Sequence, residues 1–188
     1  MLKRFLVIVV MGILMPALAM GYEIGGVNLP DSLPAGKESL VLNGAGIRKK
    51  FFLKLYVAGL YVKEKTSNAE EILKEDVPVA IKLHIISRLI SSKNMEKATR
   101  EGFEKAAQGN LAGLEERIDE FISLFKSEPI KKHDEFDFIY VPGEGVHSIK
   151  NGKELKLIKG ADFKKALFGI WLSDSCVQED LRDALLGK

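Results

Sequence analysis

The sequence predicts an α+β protein in which one antiparallel sheet carries helices on one face. Three observations predict it. Leu40 to Val62, LVLNGAGIRKKFFLKLYVAGLYV, has strand composition throughout, rich in Val, Leu, Phe and Tyr. Two stretches with helical periodicity lie side by side in the middle of the chain, not alternating with strands. Asn151-Gly152, set between two extended runs, is the strongest short-range hairpin signal a sequence carries.

The elements follow in order. Residues 1–19 read as a cleaved secretory signal peptide: Lys3 and Arg4 form a basic start, Phe5 to Met15 an apolar run, and Ala17-Leu18-Ala19 a small-residue cleavage site. The apolar run is shorter than the roughly 20 residues a membrane span needs. No cysteine follows the cleavage site, so a lipid anchor is not indicated. Residues 22–188 read as a single domain, opening with a short edge strand at Val27–Leu29.

The Leu40–Val62 run comes next. Asn43-Gly44-Ala45-Gly46 marks a bulge or corner where backbone approaches closely. From Phe51 to Tyr61 both parities carry apolar groups, which predicts a strand covered on both faces. Asn68 caps a short helix to Lys74. Val79 to Ile85 alternates apolar groups against Ala80, Lys82 and His84, a half-buried strand whose polar side faces out or into a polar cavity.

Ser91-Ser92 starts a helix to about Ala107, with Met95, Ala98, Thr99, Gly102, Phe103 and Ala106 on one stripe. A second amphipathic helix follows, with Leu111, Leu114, Ile118, Phe121, Ile122 and Phe125 on its apolar side. Phe136–Val141, Val146–Lys150 and Lys153–Ile158 form a meander. Asp162 is expected to cap a helix through Leu167 that Gly169 breaks, before a last helix over Val177 to Leu186.

Composition narrows the function. Charged residues at 29% and hydrophobic residues at 46% are those of a folded globular chain. Loss of Lys3 and Arg4 with the leader lowers 28 basic residues to 26, equal to the 26 acidic ones. A mature chain of zero net charge disfavours nucleic acid as a partner. One cysteine, Cys176, rules out an intrachain disulfide and is read as a small buried hydrophobe. The three histidines, His84, His133 and His147, are scattered without zinc spacing. Nucleophile-elbow, phosphate-loop and dinucleotide motifs are absent, so no metal or cofactor is expected.

The residue left to explain is Arg48, at the start of an apolar strand near the hydroxyls of Tyr56 and Tyr61. A guanidinium there needs an anion: a helix carboxylate in a structural ion pair, or the acidic group of a ligand.

LNGAGIRKKFFLKLYVAGLYV, IKLHIISRLISSKNMEKATREGF and the tail FKKALFGIWLSDSCVQEDLRDALLG together resemble the chalcone isomerase-like family in its bacterial secreted branch, over about residues 22 to 188. The resemblance implies an open-faced β-sandwich, with a ligand cleft between a large antiparallel sheet and a helical layer. It also implies one of two activities: intramolecular addition that closes a chalcone, or non-catalytic binding of fatty acids. In both, an arginine after the glycine corner faces the cleft, and Arg48 matches it.

Other positions depart from the enzymes. Tyr56 stands in place of a threonine, Asn94 in place of a tyrosine and Glu101 in place of an asparagine. Without those hydroxyls the network that stabilises an oxyanion is altered. The reading is therefore a periplasmic protein that binds a small apolar or amphipathic ligand, such as an acid, at Arg48, Tyr56 and Asn94. An isomerase or intramolecular lyase using Arg48 as its catalytic group is the alternative, and a structural envelope protein with a filled cleft is the third.

Overall fold

Strand propensity in the chain becomes a seven-stranded antiparallel sheet threaded strictly in sequence order. The computed structural model describes residues 21–188, so the signal peptide expected over 1–19 lies outside the described residues. The sheet runs β3 (Ser32–Ala35), β4 (Glu38–Lys50), β5 (Leu53–Val62), β6 (Val79–Ile85), β7 (Glu135–Val141), β8 (Gly145–Lys150) and β9 (Lys153–Ile158). A separate hairpin, β1 (Tyr22–Ile24) with β2 (Val27–Leu29), precedes it. Val27–Leu29 therefore pairs within its own two-stranded sheet and is not an edge strand of the main one. Its Gly25-Gly26 turn has positive φ at both residues, the geometry glycine favours in a tight hairpin.

Among the described residues five helices cover one face of the sheet: α1 (Ala69–Lys74), α2 (Ser92–Ala106), α3 (Glu115–Ser123), α4 (Ala161–Leu172) and α5 (Glu179–Leu185). The α+β class and the helical layer on one face are what the element order predicts. Between β6 and β7 the chain makes one long excursion, Ile86 to Asp134, that builds α2, α3 and a 3-10 turn at Leu124–Lys126. The main core lies between sheet and helices, around Leu60, Ile81, Phe138, Phe103, Phe121 and Phe168, with rings of Phe121 and Phe138 5.1 Å apart.

Several local expectations change. Asn43-Gly46 forms the expected bulge, a register shift between Leu42 and Gly44, but no corner: β4 runs on through it. The reversal falls instead at Phe51-Phe52, both solvent-exposed, so the strand covered on both faces starts beyond them. The outer side of β6 is also not half-buried. The sheet curls until Leu33 and Ala35 pack with Ala80 and Ile139, while Lys82 is buried against Glu135 and Asp137 at 2.7 and 2.9 Å. Burial pulls the Lys82 ammonium down, but its two carboxylate partners outweigh that and hold it above its ordinary value.

Among the helices, Ser91 and Asn68 cap as expected. The second amphipathic helix begins at Glu115, later than its apolar stripe suggests. Gly169 does not break α4, which continues to Leu172; a Cβ there would stand 3.2 Å from the Ala106 Cβ of α2. The glycine serves helix contact. Asp162 lies inside α4 and is held by Arg117 at 2.6 Å, leaving Gly160 at the cap. Asn151-Gly152 turns β8 into β9 with positive φ at both residues, as the dipeptide predicts.

Candidate functional site

The site is built where β4 ends. Gly44 and Gly46 sit directly beneath α5: a Cβ on Gly44 would fall 2.2 Å from the Ala184 carbonyl oxygen, and one on Gly46 2.7 Å from Leu181. Their lack of side chains lets the last helix lie against the strand. Two residues further on, the same face presents Arg48, whose cross-strand partner is Tyr56. Opposed residues of an antiparallel pair share a face, so the two side chains point together into the helical layer. Tyr61 does not join them. It faces the other way and donates to the Pro30 carbonyl at 2.9 Å.

Arg48 is half-buried, and among the described residues no carboxylate pairs with it. Its Nη1 donates to the Lys49 carbonyl at 2.6 Å and to Gln178 Oε1 at 2.9 Å. Gln178 also accepts from the Lys49 amide and donates to the Ile47 carbonyl, at 2.7 and 3.2 Å, tying the start of α5 to the end of β4. Neutral partners thus hold the guanidinium in place and leave its charge uncompensated. The structural ion pair to a helix carboxylate is not formed.

Above Arg48 and Tyr56 opens a cavity of about 480 Å³, within the range of ligand pockets. Its inner wall is apolar: Leu83, Met95, Phe121, Phe125, Phe138 and Ile170. Its rim carries Lys50, Lys97 and Lys105, with Glu101 the single acidic residue of the lining. The crossing of α2 over α4 roofs it; a Cβ on Gly102 would meet Ile170 at 2.9 Å, so the roof is pinned by a close contact.

The Tyr56 hydroxyl accepts from Trp171 Nε1 at 3.0 Å at the inner edge of the cavity. Burial pushes this phenol up, and the Trp171 bond and the Arg48 charge only partly offset that. It therefore stays protonated at neutral pH, a donor and not a base. The arrangement can take an apolar body into the wall, an anionic head beside Arg48 and a hydrogen bond from Tyr56.

The three residues singled out from sequence line this one cavity. Arg48 and Tyr56 lie on its floor. Asn94 sits on the exposed rim of α2, its amide 3.5 Å from the Leu89 carbonyl. Glu101 is also on the rim, 3.8 Å from Lys97. Trp171 and Gln178 escaped sequence reasoning. The only tryptophan of the chain carried a signal, since a buried indole N–H needs an acceptor. Gln178 gave none. Cys176 is half-buried in the loop after α4 and does not line the cavity. Among the described residues no group of three His, Cys, Asp or Glu side chains is placed to hold a metal, and no helix is long and apolar enough to cross a membrane.

Comparison with known proteins agrees with this fold. A family model described as chalcone isomerase-like matches residues 21–187. No curated protein matches the chain. Among solved structures, a fatty-acid binding protein of Arabidopsis thaliana shares the fold at TM-score 0.72 and 19% identity, over 86% of this chain and 92% of that one.

Proposed function

This chain belongs to the chalcone isomerase-like family, and from that premise we propose that it is a periplasmic binder of an amphipathic acid such as a fatty acid. The observation that carries the proposal is the cavity: apolar walls end at a guanidinium whose partners are all neutral. A carboxylate there makes charge-assisted hydrogen bonds in an apolar surround, where they are strong. The fold shared with a fatty-acid binding protein supports the ligand class. The leader read over residues 1–19 supports the compartment.

Native mass spectrometry of the protein exported to a bacterial periplasm, beside Arg48→Ala, tests it. The expected result is a co-purifying acid of a few hundred daltons (the size a pocket of this volume takes) that the variant loses. Retention of the same acid by Arg48→Ala overturns the anchor. An empty protein that converts a chalcone-like substrate in an Arg48-dependent way replaces binding with the isomerase reading.

A further inference from the structure

The turn that closes β4 onto β5 breaks three local rules at once. Phe51 and Phe52, the two residues of its tip, are 86% and 101% exposed, where loops ordinarily carry polar groups. Phe51 has φ +55, a left-handed conformation that costs a bulky side chain and that glycine would take without strain. Lys49 stands directly opposite Lys54 in the ladder, and like charges so placed repel. Local violations of this kind concentrate at functional sites. The segment from Leu40 to Val62 holds no acidic residue that could relieve the lysines.

The same tip forms one lip of the cavity, through Lys50, Phe51 and Leu53. Facing it, Leu89 of the β6–α2 loop is 59% exposed, with Arg88 and Lys93 nearby in sequence. The mouth is thus bordered by projecting apolar side chains set among cations.

We propose that this tip docks onto the surface of an anionic phospholipid bilayer, with Phe51, Phe52 and Leu89 entering the headgroup–acyl boundary and Lys49, Lys50 and Lys54 meeting lipid phosphates. Aromatic insertion beside lysines is the chemistry of interfacial membrane binding. Long lysine stems lie along the apolar contact while their ammonium groups stay in the headgroups. A protein partner is the weaker fit: a stable interface covers about 800 Å² per side, and a narrow projecting tip offers little of that. Self-association would bring the same cations together. The docking delivers the cavity mouth to the bilayer, so an acyl ligand passes between lipid and protein without crossing water. That purpose rests on the ligand-binding reading above; the contact does not.

Vesicle co-sedimentation of the chain from residue 21, which holds the whole described core and no leader, tests the docking. The expected result is binding to phosphatidylglycerol-containing vesicles roughly tenfold or more tighter than to pure phosphatidylcholine, weakening as salt rises. Phe51→Ser with Phe52→Ser should lose that binding about tenfold while thermal unfolding is retained. Lys49→Gln, Lys50→Gln and Lys54→Gln together should abolish the preference for anionic lipid. Absence of vesicle binding, or equal binding by the phenylalanine variant, overturns the proposal. So does a dimer that the phenylalanine variant dissolves, which would assign the tip to a second copy of the chain. Binding of fluorescent parinaric acid without vesicles keeps the two readings apart. Vesicle binding by protein that takes no parinaric acid supports the docking surface and removes the carrier; the reverse keeps the carrier and removes the docking surface.

Discussion

Tyr56 is the residue on which cavity and core meet. Its hydroxyl is the acceptor for the buried Trp171 indole, and the ring packs with the main core. Tyr56→Phe keeps the ring but leaves Trp171 Nε1 without its acceptor, a cost of about 1–3 kcal/mol. Urea unfolding should show that loss. Equal stability of Tyr56→Phe and the parent chain would show that the hydrogen bond contributes nothing. At this scale the sequence was legible where a residue contradicted its surroundings. An arginine entering an apolar strand marked the place where the cavity opens. Gln178 gave no signal, and the lone tryptophan signalled a need for an acceptor without saying which, since both partners lie more than a hundred residues away in the chain.

Among the elements, β4 and α5 depend most on what is missing from a side chain. The Asn43-Gly46 stretch was readable as a place of close approach, but not as continuous strand, because a glycine pair looks alike in a corner and under a packed helix. The two glycine sites should respond differently to alanine. Gly44→Ala drives a Cβ into the Ala184 carbonyl, a backbone atom that cannot step aside, and displaces α5 at about 2 kcal/mol or more. Gly152→Ala meets nothing within 4 Å and costs only the left-handed backbone, about 1 kcal/mol. Thermal melts of the two variants separate packing from conformation. A smaller loss at Gly44 than at Gly152 would contradict the close packing of α5. The expected break at Gly169 failed for the same reason: the glycine answers a neighbouring helix, which local pattern does not reveal.

The molecule as a whole has a pH profile written by a few buried groups. Lys164 is buried in α4 and donates to the Ile72 and Glu75 carbonyls at the end of α1, which burial brings down to about 8. Its unfolded value is 10.5, so between about 8 and 10.5 the unfolded chain holds a proton the folded one has released. Stability therefore rises with pH across that window. Tyr56, Tyr61 and Tyr140 act oppositely. Burial raises all three, Tyr140 to about 12 beside Asp76, so above pH 10 the unfolded chain loses its protons first and stability falls. Urea melts should show a maximum near pH 10, and Lys164→Met should remove the rising limb while the falling limb remains. A flat profile in the parent chain would refute it. Fold class and the helical layer were readable from the spacing of elements. The curl that buries Lys82 was not, because alternation reports one covered face and cannot say that the sheet's own edge returns over the other.

The sheet's threading has a further consequence. The excursion from Ile86 to Asp134 leaves β6 and returns at β7, two strands that are already neighbours. A detour between adjacent strands can be exchanged without rethreading anything, and doubling its length adds only about 0.6 kcal/mol of closure entropy. The frame of the cavity and the α2 side of its roof are thus separable inheritances. Ligand preference could drift, or be transplanted between relatives by grafting this one segment, while β4 and β5 keep the arginine where it stands.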